Sequence, residues 1–160
     1  MKILVVDDEP LNIALLEDTL SGSGYTRVQS ISDSRLALQT CETWGPDLVL
    51  LDLMMPYFDG FAVLESVRSS MRDIFLPIIV LTADANEETK RRALRGGASD
   101  FLLKPFDEFE VLLRINNMLE IRRLHVQLDM QRAAYEEAVR ARTAELRDLH
   151  RQLEQATGRN

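Results

Sequence analysis

A chain of 160 residues can bury the core of one domain of roughly 100–150 residues and leave some sequence over. Its hydrophobic content of 46% and charged content of 28% are ordinary for a globular protein and exclude disordered, disulfide-rich and collagen-like classes. The net charge of −7 disfavours non-specific attraction to nucleic acid. The apolar start at residues 3–6 is too short for a signal-peptide core or a membrane span, and Cys41 is the single cysteine. We therefore expect a cytoplasmic protein without direct nucleic-acid or membrane partners.

Five apolar segments predict the strands of a parallel sheet. They are residues 2–6, 27–31, 47–51, 77–81 and 100–103. Three of them contain ILVV, LVLL and IIVL, which are continuously apolar, as in strands that are buried on both faces. Amphipathic segments between the strands predict helices at residues 11–20, 34–43, 61–69 and 86–95. The alternation predicts an α/β fold, a doubly wound five-stranded parallel sheet whose binding site lies beyond the carboxyl ends of the strands.

The end of the chain differs from this pattern. Residues 107–157 contain no proline or glycine and are rich in Arg, Glu, Leu, Ala and Gln, which predicts one long helix. Residues 1–119 carry 11 basic against 19 acidic residues, whereas residues 120–160 carry 8 against 7. We therefore predict a first domain at residues 1–119 and a helical extension at residues 120–160.

A seam at alternating three- and four-residue spacing runs along this helix. It consists of Met118, Ile121, His125, Leu128, Arg132, Tyr135, Val139, Arg142, Leu146, Leu149, Leu153 and Ala156. Nine of these twelve positions are apolar, which is typical of a two-stranded coiled coil, while the three basic positions weaken it. A single helix cannot bury such a seam, so the extension is expected to form a homodimer.

Charged and hydroxyl side chains follow four of the predicted strands. They are Asp7 and Asp8 after the first strand, Asp52 after the third, Thr82 after the fourth and Lys104 after the fifth. Because the carboxyl ends of parallel strands share one edge of a sheet, we expect these groups to converge. Adjacent carboxylates are costly unless a cation screens them, and their oxygens suit Mg²⁺. Each residue alone is more often a cap or a surface residue, but the set predicts phosphoryl transfer to Asp52, with Lys104 and Thr82 contacting the phosphoryl oxygens.

Four segments resemble the receiver domain of two-component response regulators (CheY-like) over roughly residues 1–119. They are VVDDEP at 5–10, LLDLMMPYFDGF at 50–61, VLTA at 80–83 and DFLLKPF at 100–106. The resemblance implies the strand order 2-1-3-4-5 and phosphorylation of Asp52 by a partner histidine kinase or phosphotransfer protein. It also implies Mg²⁺ held directly by Asp8, Asp52 and the backbone carbonyl of Met54, and by Asp7 largely through water, with Mn²⁺ or Ca²⁺ as substitutes.

The same resemblance implies how phosphorylation is read. Phosphate is expected to pair with Lys104 and to draw Thr82 inward, and the ring of Phe101 follows. This movement would reshape the face formed by the fourth helix, the fifth strand and the fifth helix. Ala83 would leave room for the phosphoryl group and its donor, and Pro105 resembles the family's proline that follows a cis bond.

Two other functions fit part of this pattern. A Mg²⁺-dependent aspartyl phosphohydrolase would also use Asp52 as nucleophile, but the haloacid-dehalogenase type has a second acid two residues later, where this chain has Met54. A pseudo-receiver used as a scaffold would not require the full set of acid, Thr and Lys positions. We therefore expect a phosphorylation switch that catalyses only its own phosphorylation and dephosphorylation, rather than a turnover enzyme.

The segment VRARTAELRDLHRQLE at 139–154 resembles the coiled coils that join receivers to output domains such as HD-GYP-type cyclic-di-GMP phosphodiesterases, or to kinase modules. The resemblance implies that any output domain lies outside this chain, with a stand-alone regulator as the alternative. Phosphorylation would then change how two such helices pair. The alternative is a solvated amphipathic helix that dimerises constitutively.

Overall fold

The computed structural model describes residues 1–56, 59–71 and 74–158, so Tyr57 and Phe58 of the segment at 50–61 lie outside the described residues. The described residues form one five-stranded parallel sheet in the order β2-β1-β3-β4-β5, which confirms the predicted fold and strand order. The strands are β1 (Ile3–Val6), β2 (Val28–Ile31), β3 (Leu48–Asp52), β4 (Ile78–Thr82) and β5 (Asp100–Leu103). Each strand begins within one residue of its predicted start, because the apolar runs have sharp polar boundaries.

Strand register aligns the carboxyl ends of the central strands. Asp52 at the end of β3 pairs with Leu81, and Thr82 at the end of β4 pairs with Leu103. Val6, the last residue of β1, pairs with Leu51. Residues at and just after these positions therefore lie along one edge of the sheet.

Helices occupy the intervals between the strands and the end of the chain. They are α1 (Pro10–Gly22), α2 (Ala37–Trp44), α3 (Gly60–Ser70), α4 (Glu87–Arg95) and α5 (Glu108–Thr157). The helix predicted from residue 34 begins with a 3-10 turn (Ser34–Leu36), because the Asp33 carboxylate accepts a hydrogen bond from the Arg35 amide and tightens the chain there. Beyond the end of α4, Gly97 has a φ of 99°, the left-handed conformation for which glycine is favoured.

Side chains from the sheet fill two core layers, one on each face. One layer packs β1, β3 and β4 against α1 and the beginning of α5, through Leu16, Leu20, Val111 and Ile115 on the helices. The other packs the same strands against α2 and α3, through Cys41, Val63, Leu64 and Val67. Burial on both faces explains why the central strands are continuously apolar.

The chain divides into two compact units, the first ending at Arg122 and the second beginning at Arg123. The second unit is helical as far as Thr157, as predicted, and exposes a series of large apolar side chains. They are Leu124, Leu128, Met130, Tyr135, Val139, Leu146, Leu149 and Leu153. Among the helices of the described residues, none combines the length and apolar character needed to cross a bilayer.

Candidate functional site

Four strand ends bring the predicted groups together at the carboxyl edge of the sheet. The Lys104 ammonium lies 2.7 Å from Oδ2 of Asp7 and 2.8 Å from Oδ2 of Asp52, so it bridges the two carboxylates. Carboxylate oxygens of Asp7, Asp8 and Asp52 all lie within 4.8 Å of one another. The predicted convergence of these residues is therefore present in the structure.

Burial makes this cluster electrostatically demanding. Asp7 is 0% exposed and Asp52 is 5% exposed. Burial alone would lower the pKa of the Lys104 ammonium, but its hydrogen bonds to Asp52 and Asp7, with the charges of both carboxylates, outweigh burial and raise that pKa. The bridging lysine therefore remains charged throughout the physiological pH range.

Backbone and side-chain donors orient the two buried carboxylates. Oδ1 of Asp7 accepts hydrogen bonds from the Glu9 amide at 2.9 Å and from the Asn12 side-chain amide at 3.1 Å. Oδ1 of Asp52 accepts a hydrogen bond from the Met54 amide at 3.0 Å. The Asn12 amide also lies 3.2 Å from Oδ2 of Asp7, the oxygen that Lys104 contacts, while Oδ2 of Asp52 accepts from Lys104. Together these hydrogen bonds orient both acids.

Asn12 was not predicted as a site residue, and neither was Gly60. A Cβ built on Gly60 would lie 2.2 Å from the backbone oxygen of Asp52 and 2.6 Å from Cα of Leu53. Real Cβ contacts are never this close, so only glycine lets the start of α3 pass directly beneath the end of β3. An Asp-Gly pair such as Asp59-Gly60 is typical of a turn, but the close approach to Asp52 depends on tertiary packing.

Thr82 lies at the carboxyl edge of the sheet, whereas Phe101 lies further back on β5. Thr82 is fully buried at the end of β4, and its Oγ1 accepts a hydrogen bond from the Asp84 amide at 3.1 Å. Phe101 lies on β5, half-buried against the small core cluster around Val80 and Ala93. Phe101 pairs with Val80, two residues before Thr82 in β4. The predicted switch aromatic is therefore not part of the cluster formed by Asp7, Asp8 and Asp52.

Access to the site lies between α1 and the segment after β5. A cavity of about 300 Å³ is lined by Asn12, Leu15, Ala83, Lys104, Pro105 and Phe106. Ala83 is exposed at this cavity, and the bond between Lys104 and Pro105 is cis, as the resemblance implies. Met54 is 67% exposed, and it contacts Asp52 through its backbone amide.

The donor set suits a divalent cation. Three carboxylates carry up to three negative charges, and Lys104 supplies one positive charge against two of them. Clustered carboxylate oxygens with room for water are the ligands that Mg²⁺ prefers. The cluster of Asp7, Asp8 and Asp52 therefore fits a magnesium ion, whose charge would complete the neutralisation that Lys104 begins.

The fold and the site define a doubly wound α/β domain equipped for phosphoryl transfer to a carboxylate. The sequence model of the response regulator receiver domain matches residues 3–116, and the chain belongs to this family. Receiver domains are phospho-accepting signalling switches rather than turnover enzymes, bind Mg²⁺ at an acidic cluster and interact with histidine kinases or phosphotransfer proteins. The predicted family is thus confirmed.

Two curated relatives illustrate the similarity. The alkaline phosphatase synthesis transcriptional regulatory protein PhoP of Bacillus subtilis is 42% identical over 118 residues, covering 74% of this chain and 48% of PhoP. The response regulator PleD of Caulobacter vibrioides is 33% identical over 133 residues, covering 83% of this chain and 29% of PleD. The chain therefore spans about half the length of PhoP and less than a third of PleD.

Solved structures agree with the fold. The chemotaxis protein CheY4 of Vibrio cholerae aligns with a TM-score of 0.68 and 31% identity, covering 73% of this chain and 97% of that one. The receiver domain of the sensor histidine kinase PA1611 of Pseudomonas aeruginosa, described with a magnesium ion coordinated in its active-site cleft, aligns with a TM-score of 0.68 and 31% identity, covering 74% and 97%.

Proposed function

We propose that Asp52 is the phospho-acceptor of this receiver domain. The observation that carries the proposal is the Lys104 ammonium, which bridges the buried Asp52 and Asp7 carboxylates at 2.8 and 2.7 Å. Within the acid cluster, Asp52 is the residue that ends a central strand, and 5% of its surface is exposed to solvent. It is therefore held rigidly while remaining accessible to a phosphoryl donor.

The chemistry follows from the groups around Asp52. A carboxylate oxygen of Asp52 attacks phosphorus, the bond from phosphorus to the donor nitrogen or oxygen breaks, and the leaving group departs with that bonding pair. Lys104 then pairs with a phosphoryl oxygen, and the Thr82 hydroxyl donates to another. Asp7, Asp8, Asp52 and the Met54 backbone carbonyl would hold Mg²⁺, with Mn²⁺ or Ca²⁺ as substitutes. The bound ion would neutralise charge on the transferred phosphoryl group.

The donor proposed for this reaction is a histidine kinase or a phosphotransfer protein. Leu11 and Leu15 on α1 are 78% and 56% exposed, and Leu15 lines the cavity beside Lys104. An exposed apolar surface next to a charged site suits a protein donor that packs against α1 while its phosphorylated side chain enters the cavity. Ala83 has the small side chain that such an entry requires.

Mass measurement tests the phospho-acceptor directly. Acetyl phosphate with Mg²⁺ should add one base-labile phosphoryl group to the wild type and none to Asp52→Asn. Asp18→Asn, which changes an exposed acid on α1, is the matched control and should be labelled like the wild type. Equal labelling of Asp52→Asn and wild type would remove the basis of the proposal, as would a wild type that gains no phosphate.

We propose further that the second unit pairs with a second copy. Its seam exposes Leu128, Val139, Leu146, Leu149 and Leu153, and the two seam arginines form ion pairs within their own helix. Arg132 pairs with Glu136 at 2.9 Å, and Arg142 pairs with Glu145. These ion pairs reduce the repulsion that two facing arginine layers would otherwise cause.

Leu128 and Met130 provide a matched test of the seam. Both side chains are exposed, at 61% and 68%, but Leu128 lies in the seam whereas Met130 lies on the opposite side of the helical repeat. Leu128→Glu should convert a dimer to a monomer in sedimentation velocity, while Met130→Glu should leave the dimer intact. A wild type that sediments as a monomer both with and without beryllofluoride would contradict the proposal.

A further inference from the structure

A chain of side-chain hydrogen bonds runs from Thr82 to the beginning of α4. Oγ1 of Thr82 accepts from the Asp84 amide at 3.1 Å, Oδ1 of Asp84 accepts from the Asn86 amide at 2.9 Å, and Oδ1 of Asn86 accepts from the Glu88 amide at 2.9 Å. Each bond closes a turn onto the amide two residues further along. Alternate residues therefore link the predicted switch threonine to the N-cap of α4 without a break.

Thr89 is hydrogen-bonded to Asp84, a middle residue of this chain of bonds. Its hydroxyl donates to Oδ2 of Asp84, so the Asp84 carboxylate holds the Asn86 amide with one oxygen and the first turn of α4 with the other. With the carboxylate held at two points, the Asp84 backbone is fixed where its amide reaches Thr82. The side chain of Thr89 thus acts on Thr82 through Asp84.

Helix α4 has few other attachments. Of its nine residues, all of which the structure describes, Ala93 is the buried one. The other contacts of its side chains include Arg92 over the Phe61 ring, at 3.8 Å to the centroid, which is a surface interaction. Because α4 buries so little apolar surface, its position depends strongly on the hydrogen bonds at its N-terminus.

We infer that Asp84 and Thr89 are positioning residues that hold the Thr82 hydroxyl in its resting orientation and so oppose phosphorylation. The inference rests on the proposed function, in which Thr82 donates to the phosphoryl group. For Thr82 to turn toward the site, its Oγ1 must leave the Asp84 amide, and the loop that Thr89 secures must yield. Loss of the Thr89 hydroxyl weakens the resting state and favours the phosphorylated one.

Beryllofluoride with Mg²⁺ is the probe for this inference, measured by calorimetric titration of the full chain. Thr89→Val keeps the shape of the side chain and removes the donor, and we expect it to bind beryllofluoride about fivefold more tightly, the effect of one ordinary hydrogen bond. Thr89→Ser restores the donor and should return the affinity to the wild-type value. Thr89→Ala is a second variant that removes the hydroxyl while favouring the helix.

Control variants distinguish the positioning role of Thr89 from the proposed phospho-acceptor function of the domain. Thr43→Val removes an exposed helical hydroxyl that bonds to the Gln39 carbonyl, and it should bind beryllofluoride like the wild type. A wild type that does not bind the probe would refute the proposed function itself. If the wild type binds and Thr89→Val and Thr89→Ala bind equally well or more weakly, the proposed function stands and the positioning role is refuted.

Hydrogen exchange provides a second readout of the same inference. The Asn86 and Glu88 amides are protected by Asp84 and Asn86 side chains, so Thr89→Val should accelerate their exchange in the absence of beryllofluoride. Exchange in β1 and β3 should be unchanged, because the variant leaves the sheet intact. Equal acceleration throughout the domain would show general destabilisation and would overturn the positioning role.

Discussion

Replacing Lys104 by methionine removes the positive charge that lies against two buried carboxylates. The Lys104 side chain is 17% exposed, and those of Asp7 and Asp52 are 0% and 7% exposed. Breaking a buried ion pair by removing one partner costs about 3–5 kcal/mol, and the partial exposure of Lys104 places this case near about 3 kcal/mol. We therefore expect Lys104→Met to lower the melting midpoint by about 10 °C in EDTA.

Magnesium should reverse much of this loss. Lys104 and a divalent cation neutralise the same carboxylates, so removing the ammonium should strengthen Mg²⁺ binding by at least about tenfold, or about 1.4 kcal/mol. The midpoint of Lys104→Met should therefore rise more steeply with Mg²⁺ than that of the wild type. Phosphorylation should remain impaired even in saturating Mg²⁺, because no ammonium is left to pair with the phosphoryl group.

Lys90→Met is the control for removal of a lysine charge. The Lys90 ammonium lies 5.8 Å from the Phe101 ring centroid and makes a surface interaction worth at most about 1 kcal/mol. Differential scanning calorimetry of wild type and both variants, in EDTA and across a Mg²⁺ series, gives the comparison. A Lys104→Met variant that loses no more stability than Lys90→Met, or equal stabilisation of both variants by Mg²⁺, would refute this role of Lys104.

Three further predictions concern other parts of the domain. Gly60→Ala should destabilise the fold by roughly 1–3 kcal/mol in urea titrations, because backbone atoms rather than a movable side chain block the new Cβ, whereas Gly22→Ala, with open space around it, should not. Burial raises the pKa of the Cys41 thiol to about 11, so native protein should resist iodoacetamide at about pH 8 while urea-unfolded protein reacts readily; equal rates would contradict this. Hydrogen bonds from Thr89 and the Asn86 amide lower the pKa of Asp84. These bonds therefore stabilise the folded protein above about pH 4, and the stabilisation is lost as the pH falls through the lowered pKa. In thermal melts, the stability difference between wild type and Thr89→Val should shrink over the same pH range.

The sheet could be predicted because its strands are defined by composition alone. The apolar run ILVV forms β1, and the runs LVLL and IIVL form β3 and β4 up to their last residues, which are Asp52 and Thr82. Topology then fixed the convergence of Asp7, Asp52, Thr82 and Lys104, since residues after parallel strands share one edge. The strand order itself came from the family resemblance, because the apolar pattern does not distinguish one parallel order from another.

Residues that act across the fold could not be predicted in the same way. Asn12 reaches back from α1 to Asp7, and its role depends on the angle at which the helix leaves β1. Gly60 is required by a backbone approach to Asp52 that exists only after α3 packs. Thr89 bonds to Asp84 across one turn of chain, a contact that the sequence permits but does not require. In each case the missing information is a distance between elements rather than a residue type.

The helical extension shows where a prediction from periodicity reaches its limit. The spacing of apolar residues predicts a partner for the seam, and Leu128, Leu146 and Leu149 are exposed in the single chain. Arginines at two seam positions oppose pairing, although the ion pairs from Arg132 and Arg142 to acids on their own helix moderate the cost. In the proposed dimer, apolar layers favour association and charged layers oppose it, so we expect a dimer of moderate stability. Such an equilibrium can be shifted by a few kcal/mol, which is the size of effect that phosphorylation of one aspartate can supply.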